Sequence, residues 1–255
     1  MNTIAIIQAR MSSSRLPGKV LLPLADIPVL SHIIIRLQNC KTIKKVLVAT
    51  SADSSDDSIS EHCAIMGIEC YRGSLLDVLD RYYQCAKQFN ATSVVRITAD
   101  CPTIDSVIVD AVVTGFLAGN YDYYSHGGEF PDGLDCEVIS FPALEKAWRY
   151  AILPSEREHV CPYIHTTHKS DFKTGFLELF KGLQHMRWTL DEPSDYELLK
   201  KIFNALHKPN KIFLTNDILT ILKKHPEWLS INGDIARNSG YKKSLEHDKN
   251  FLSSK

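Results

Sequence analysis

The chain has 255 residues and a formal net charge of −1, with 44% hydrophobic and 23% charged residues. Such a composition can bury the core of one large α/β domain or of two small ones. Its balanced charge lacks the basic signature of nucleic-acid-binding or membrane-surface proteins, so any anion must be bound by a local cluster of cations.

Neither an export signal nor a membrane span is predicted. The apolar run at residues 3–7 lacks the basic region and long apolar core of a signal peptide. No apolar stretch approaches the ~20 residues that cross a bilayer. The seven cysteines are scattered without C-x-x-C spacing, which is typical of reduced thiols in a core and argues against a zinc site. We therefore expect a cytoplasmic protein.

In the first hundred residues, short aliphatic runs alternate with helix-like stretches. The runs are rich in Val and Ile and apolar on both faces, as buried parallel strands are. The predicted strands are 4–8, 45–50, 68–71 and 93–98, and the predicted helices are 29–39, 55–66 and 75–89. Residues 54–57 cap the second helix and Gly67 ends it. This alternation predicts an α/β fold with a parallel sheet.

The pattern changes after about residue 120. The predicted strands there are 121–125, 134–139 and 185–190, and the predicted helices are 142–150, 156–165, 194–206 and 216–224. We predict one domain over residues 1–230, with residues 121–165 as an excursion from it. The Ser-, Asn- and Lys-rich residues 231–255 are predicted to form a weakly ordered tail.

The segment after the first strand has the composition of an anion-binding loop. Residues 8–19 read QARMSSSRLPGK and contain three cations, Arg10, Arg15 and Lys19, with three consecutive hydroxyls. Ligands of open parallel sheets bind at the carboxyl ends of strands, where small residues such as Gly18 let backbone amides face an anion. The loop has neither Walker A nor dinucleotide-binding spacing. It predicts a polyphosphate site, and a solvated basic loop is the alternative.

This loop resembles the signature P-A-R-x-x-S-x-R-L-P-G-K of the synthetases that make CMP-Kdo (Kdo, 3-deoxy-manno-octulosonate) and CMP-acylneuraminate. The matching residues are Ala9, Arg10, Ser13, Arg15, Leu16, Pro17, Gly18 and Lys19. Gln8 replaces the proline of the signature, and Gln before Ala-Arg-Met resembles the spore-coat polysaccharide biosynthesis branch of the family. The resemblance extends from residue 4 to about residue 230.

The resemblance implies a three-layer α/β/α sandwich with a mostly parallel sheet, like the nucleotide-diphospho-sugar transferases. It implies that Arg10, Arg15 and Lys19 hold the CTP phosphates during catalysis and that main-chain groups near Ala9 meet the cytosine ring. The nucleotide-binding positions that it implies are Ala9, Arg10, Ser13, Gly18, Lys19, Thr50 and Arg81. An exposed helical residue is the alternative for Arg81.

Two aspartates directly follow predicted strands. Asp100 comes after the fourth strand, and Asp191 comes after the last. Because such strand ends meet at one edge of a sheet, both carboxylates could share a Mg²⁺ with a triphosphate, although a turn and a helix cap are ordinary alternatives. The resemblance assigns both as Mg²⁺ ligands, since they match the aspartates of Q-G-D-x-P and V-D-x-P-x-D-L. Thr98 and Ala99 depart from the first motif, which leaves the acceptor open.

The middle of the chain carries the candidates for acceptor binding. Charges are dense and mixed in sign at residues 130–137 and 156–159. Arginine and histidine there could receive a carboxylate or phosphate, and the acids could accept hydrogen bonds from hydroxyls. An ordinary helix start is the alternative for residues 156–159. The candidate acceptor-binding residues are Asp132, Glu137, Arg157, His159 and Arg187.

The sequence thus predicts a cytidylyltransferase for surface polysaccharide synthesis. An oxygen of a small acidic sugar, Kdo- or nonulosonate-like, would attack the α-phosphorus of CTP and release pyrophosphate. The resemblance also implies a homodimer in which residues 121–165 reach the partner. A phosphorylated or phosphonate acceptor and a catalytically silent nucleotide-binding protein are the alternatives. A glycosyltransferase is disfavoured because Asp100 is not part of a D-x-D motif.

Overall fold

In the computed structural model, which describes residues 1–253, a seven-stranded sheet lies between two layers of helices. The strands are β1 (Thr3–Gln8), β2 (Pro23–Leu24), β3 (Ile27–Pro28), β4 (Lys45–Ser51), β5 (Cys70–Gly73), β6 (Ser93–Thr98), β7 (Tyr123–Gly127), β8 (Glu137–Ser140) and β9 (Thr174–Glu178). The α-helices are α1 (Val29–Gln38), α2 (Asp57–Ile65), α3 (Val78–Gln88), α4 (Ser106–Gly119), α5 (Phe141–Tyr150), α6 (Pro154–His159), α7 (Pro193–Leu206), α8 (Thr215–Lys224) and α9 (Ser239–Ser253).

The sheet has the order β5-β4-β1-β6-β8-β7-β9, and β2 pairs separately with β3. Within the seven-stranded sheet, all neighbouring pairs are parallel except the two that involve β8, which is antiparallel to β6 and to β7. The mostly parallel α/β/α sandwich predicted from the sequence is confirmed. Consequently β1, β4 and β6 present their carboxyl ends at one edge, where loops can converge on a ligand.

Each face of the sheet buries its own apolar cluster, because strands covered on both faces need apolar residues on both. One cluster joins Ile7 of β1 to side chains of α1, α2, α4, α7 and α8, such as Ile33 and Val109. The other joins Ile6 to α3 and α5, where Tyr82 is fully buried. Among residues 1–253, no helix is both long and apolar enough to cross a membrane.

The segment 185–190, predicted as a strand, forms no ladder. It instead ties two loops together, since Trp188 donates its backbone N–H to Asp132 (2.6 Å) and Leu190 donates to Asp100 (2.8 Å). The helix predicted over 156–165 is broken by Val160, which has a φ of 70°, and it continues as a π-helical turn. Helix α4 and strand β9 were not predicted.

Residues 121–165 are not an extruded excursion. Strands β7 and β8 extend the central sheet, where Val138 of β8 lies opposite Val95 of β6 and Tyr124 of β7. The segment is therefore part of the sandwich, and its role in dimer formation stays a prediction.

The expectation of a weakly ordered tail is wrong over 231–253, and residues 254–255 lie outside the described residues. Helix α9 packs on α6, and the carboxylate of Asp248 accepts a hydrogen bond from the backbone N–H of Ser155 (2.9 Å). Polar groups anchor this helix, since Ser244 and Asp248 are both buried, and polar anchoring leaves little trace in hydrophobic periodicity. The placement of a domain boundary at residue 230 stays a prediction.

Candidate active site

A cavity of about 620 Å³ opens at the carboxyl edge of the sheet. Its walls come from the loop after β1, the ends of β6, β7 and β8, helix α6 and residues 238–241. The loop after β1 supplies three cations to its lining, and β8 and α6 supply the carboxylates of Glu137 and Glu158. Cations and carboxylates in one cavity suit a ligand that carries both phosphates and hydroxyls.

Backbone geometry and one buried carboxylate shape the loop after β1. Gly18 has a φ of 71° and donates its N–H to the carbonyl of Met11 (3.0 Å), which closes the loop. The Met11 N–H in turn bonds the carboxylate of Asp56 (2.7 Å), which is fully buried and also binds Ser51. Asp56 looked like a helix cap in the sequence, but it holds the loop against β4.

Asp100 and Asp191 meet at the ammonium group of Lys19. The Nζ of Lys19 lies 3.2 Å from Asp100 Oδ2 and 2.8 Å from Asp191 Oδ1. Burial alone lowers the pKa of Lys19, but the two carboxylates outweigh it and raise the pKa above its usual value. Burial alone raises the pKa of Asp100, but Lys19 and the Thr98 hydroxyl lower it to about 2. Lys19 is therefore charged, and Asp100 ionised, at neutral pH.

Two bonds to the backbone carbonyl of Asp100 explain why the aspartates are neighbours. Leu190 donates its backbone N–H to this oxygen at 2.8 Å, and the Thr189 hydroxyl donates to it at 3.2 Å. Asp191 follows directly and reaches the same edge as β6. The predicted convergence of the two aspartates is thus observed, although through loop contacts and not through paired strands.

Arg187 connects the carboxylates on this side of the cavity. Its Nε and Nη2 bind both oxygens of Asp195 (2.8 and 2.9 Å), Nη1 binds Asp132 (2.8 Å) and Nη2 also binds Asp191 (3.1 Å). Of the five N–H donors of an arginine, at most one is left for a ligand. Arg187 was predicted to bind the acceptor, but its geometry is that of a residue that positions Asp132 and Asp191.

Asp195 supports this arrangement from a fully buried position. Its carboxylate accepts hydrogen bonds from the backbone N–H groups of Asp191 and Glu192 (both 2.9 Å) and from the amide of Asn232 (2.8 Å). The Asp195 carboxylate binds the backbone N–H of Glu192, the N-cap residue of α7, as in one half of a capping box, so the start of that helix fixes the metal-ligand candidate Asp191. The spacing Glu-x-x-Asp was the sequence signal for this role.

Two further cations, Arg10 and Arg81, line the cavity. Arg10 is exposed and makes no hydrogen bond or ion pair with any residue of the described chain. Arg81 is only 1% exposed, donates from Nη1 to the carbonyl of Ser74 (3.0 Å) and has a buried Nε without a partner. An exposed helical role for Arg81 is therefore excluded. Both arginines keep donors for a ligand.

Most of the predicted site residues line this one cavity, namely Ala9, Arg10, Ser13, Arg15, Lys19, Arg81, Asp100, Asp132, Glu137, His159, Arg187 and Asp191. Their roles stay predictions. Gly18 shapes the loop without lining the cavity, and Thr50 is fully buried in β4 away from it. Arg157 was a wrong choice for acceptor binding, because its guanidinium binds Asp77 and the carbonyl of Trp148 outside the cavity.

Sequence reasoning missed the C-terminal wall of the cavity. Residues 238–241 line it, and Arg15 reaches the hydroxyl of Ser239 (3.4 Å). His159 bonds Ser244 of α9 (2.9 Å), and its ring packs edge-on against Tyr241 (5.1 Å between centroids). The polar composition of residues 231–255 concealed this contribution.

The turn that carries Asp132 approaches the backbone of residues 188–189 closely. A Cβ added to Gly133 would lie 2.5 Å from the carbonyl carbon of Trp188, so only glycine fits there. This approach buries Asp132 beside Asp135, and burial with that neighbouring charge raises the pKa of Asp132 to about 6. Arg187 and Arg237 offset only part of the effect.

Replacement of Asp132 by asparagine should change how stability depends on pH. The folded pKa of about 6 exceeds the unfolded value of 3.8, so ionisation of Asp132 costs wild-type stability as pH rises through 6. We expect the stability of Asp132→Asn relative to wild type to rise by about 1.4 kcal/mol between pH 5 and pH 8. Urea unfolding at both pH values measures this difference, with the exposed Asp234→Asn as control. A pH-independent difference would contradict the prediction.

The donor set is compatible with Mg²⁺ bound together with phosphates. Asp100 and Asp191 approach one cationic centre, Lys19, from two sides. Among residues 1–253, no group of three or more His, Cys, Asp or Glu side chains could hold a metal by itself. Mg²⁺ commonly takes one or two carboxylates and completes its six ligands with phosphate oxygens and waters. The two aspartates therefore fit the ion only in the company of a nucleotide.

A cationic loop after the first strand, facing two carboxylates at the carboxyl edge of a mostly parallel sheet, defines an α/β nucleotidyltransferase. Residues 4–223 match the family model described as cytidylyltransferase. The chain belongs to this family, which confirms the resemblance found in the loop after β1.

Several known proteins are similar over nearly the whole chain. An uncharacterised protein of Methanocaldococcus jannaschii is 37% identical over 94% of this chain and 98% of its own length. The spore coat polysaccharide biosynthesis protein SpsF of Bacillus subtilis is 32% identical over 89% of this chain and 97% of its own. The structure of a cytidylyltransferase from Leptospira borgpetersenii has a TM-score of 0.85 at 34% identity and covers 92% of this chain and 98% of that one.

Proposed function

We propose that this protein transfers CMP from CTP to a small acidic sugar, Kdo- or nonulosonate-like, with release of pyrophosphate and in a Mg²⁺-dependent way. The observation that carries the proposal is the convergence of Asp100 and Asp191 on Lys19 at the mouth of a cavity lined by Arg10 and Arg15. Cations for a triphosphate and hard oxygen ligands for its metal thus occupy one site.

The phosphates of CTP would bind along the loop after β1. Arg10 has no partner to give up, and Lys19 and Arg15 would exchange contacts with Asp191 for contacts with phosphate oxygens. Mg²⁺ held by the two aspartates would neutralise the triphosphate. Fixed cations at the phosphates lower the barrier by positioning and electrostatics, which provide most of the catalysis in phosphoryl-transfer reactions.

The acceptor would bind in the part of the cavity that β7, β8 and α6 line. The carboxylate of Glu158 can accept hydrogen bonds from sugar hydroxyls, and His159 is fixed by Ser244 beside it. The name of the related SpsF, a spore coat polysaccharide biosynthesis protein, supports a sugar acceptor for a surface polysaccharide. The same proposal includes that the protein forms a homodimer and acts in the cytoplasm.

The reaction is tested by pyrophosphate release from the purified protein with Mg²⁺ and a nucleotide. CTP, ATP, GTP and UTP are each combined with Kdo, nonulosonic acids, phosphorylated sugars and phosphonates, with and without EDTA. We expect release only with CTP, only with an acidic sugar and only without EDTA. Release with another nucleotide, or only with a phosphorylated or phosphonate acceptor, would overturn the corresponding part of the proposal. Light scattering after size exclusion tests the dimer.

A further inference from the structure

The innermost part of the cavity holds an arginine that the proposed reaction leaves unused. We define the inner chamber by residues of β6, β7, β8, α6 and the turn after it, namely Arg96, Tyr123, Glu137, His159 and His165. Arg96 occupies the floor on β6 and lies over the ring of Tyr82, with 6.0 Å from its guanidinium carbon to the ring centroid. Its side chain is 13% exposed.

Arg96 has an unpaired guanidinium edge. Its Nη1 donates to Glu137, but its Nε is buried without a partner and its Nη2 makes no hydrogen bond within residues 1–253. Elsewhere in this chain that edge binds carboxylates, as Nε and Nη2 of Arg187 bind Asp195 and those of Arg157 bind Asp77. Because Nε is shielded from solvent, Nη2 is the donor that a ligand in the cavity can reach, and an unpaired donor on a largely buried side chain favours an oxygen partner.

The residues around Arg96 do not supply that oxygen. Both oxygens of Glu137 are engaged, one by Arg96 and the other by the Tyr123 hydroxyl (2.6 Å). Burial alone raises the pKa of Glu137, but the charge of Arg96 outweighs it and lowers the pKa, so the pair stays ionised. Glu137 thus fixes the guanidinium through Nη1 and leaves Nη2 for another group.

The two histidines of the chamber add no positive charge beside Arg96 near pH 7. Burial lowers the pKa of His159 and of His165, so both rings are neutral near pH 7. They offer nitrogen donors or acceptors to a ligand and do not add positive charge that would compete with Arg96. A planar group with two anionic oxygens matches an arginine edge in shape and charge.

We propose that Nη2 of Arg96 binds the carboxylate of the acceptor and that this arginine determines the preference for acidic sugars. The inference rests on the proposed cytidylyl transfer and adds the residue that selects the acceptor. The cationic loop then binds the nucleotide, while the inner chamber binds the acid. Glu137 acts as a positioning residue for Arg96.

The test compares wild type with Arg96→Lys, which keeps a cation for Glu137 but lacks Nη2. Pyrophosphate release is measured with CTP and with Kdo, N-acetylneuraminate and the methyl ester of each acid. We expect the variant to raise the KM for the acid on the order of 10- to 100-fold, the effect of losing hydrogen bonds to a charged group. The KM for CTP and turnover of the ester should not change.

Arg157→Lys is the matched control, because it makes the same replacement at an arginine outside the cavity. Thermal unfolding of each variant separates a local effect on binding from loss of the fold. Equal use of acid and ester by wild type, or a KM for the acid within threefold in Arg96→Lys, would overturn the proposal.

Direct calorimetry with Kdo and N-acetylneuraminate separates failure of this inference from failure of the proposed reaction. Transfer only to neutral acceptors would overturn the role of Arg96 and leave cytidylyl transfer standing. Acid binding that weakens in Arg96→Lys, without any transfer in wild type, would support the site and overturn the reaction. If wild type neither binds nor transfers any acid, both the role of Arg96 and the proposed reaction would be overturned.

Discussion

Asp100→Asn is expected to lower kcat/KM for CTP-dependent pyrophosphate release on the order of 100- to 1,000-fold. The substitution keeps the size of the side chain and an oxygen for the Thr98 hydroxyl, but it removes the charge that faces Lys19. One carboxylate then remains for Mg²⁺, so half-maximal activity should require more of the ion. Steady-state kinetics over a Mg²⁺ titration measure both effects.

The pH profile provides an internal check on this prediction. The pKa of Asp100 is about 2, so its carboxylate is ionised at every pH from 5 to 9. The loss caused by Asp100→Asn should therefore be the same across that range. Glu61→Gln, which removes an exposed charge on α2, is the control and should retain wild-type activity. Activity of Asp100→Asn within threefold of wild type would rule out the proposed role.

The architecture could be predicted because its signals are local. The apolar runs that became β1, β4 and β6 are covered on both faces, and such strands have a composition that a surface loop does not share. The anion-binding character of the loop after β1 could also be predicted, since its cations and Gly18 lie within ten residues of one another. Signals contained in one short segment survive without knowledge of the fold.

Contacts between distant segments could not be predicted in the same way. The convergence of Asp100 and Asp191 depends on one backbone hydrogen bond from Leu190 to Asp100. It also depends on Gly133, which permits the close approach of residues 188–189. The donors of Arg187 looked available in the sequence, but carboxylates from the turn at residue 132 and from the segment that begins α7 occupy them. Tertiary contacts decide which arginine keeps unpaired N–H donors. The sequence therefore pointed to Arg157 and did not single out Arg96.

The C-terminal helix was missed for a related reason. Its buried positions are the polar Ser244 and Asp248, which face α6, so hydrophobic periodicity is weak. A helix of this kind is stabilised by specific hydrogen bonds whose partners lie far away in sequence, and composition alone assigns it to a disordered tail.

Arg187→Met should produce the largest loss of stability, about 3–5 kcal/mol in the free energy of unfolding. The arginine is 7% exposed and pairs with Asp132, Asp191 and Asp195, the last of which is fully buried. Removal of the cation leaves these charges without their main partner, and backbone N–H groups compensate Asp195 only in part. Urea denaturation at pH 7 measures the loss through the midpoint and the m-value.

The loss in Arg187→Met should shrink as the pH falls. Burial alone raises the pKa of Asp195, but Arg187 and Asn232 outweigh burial and lower it below 3.8. A carboxyl with a lowered folded pKa contributes stability above its unfolded pKa and loses that contribution as pH falls. The wild-type advantage from Arg187 is therefore greatest at neutral pH and decreases towards pH 4, where protonation relieves the unpaired aspartates of the variant.

Two further arginine variants decide whether this loss reflects the buried cluster. Arg149→Met removes an exposed arginine that pairs with Glu145 at 3.5 Å, and it should change stability by no more than about 0.5 kcal/mol. Arg187→Lys keeps the charge but not the two-donor edge that binds Asp195, so its stability should fall between those of wild type and Arg187→Met. A loss below about 1 kcal/mol in Arg187→Met would mean that the three aspartates do not depend on this cation.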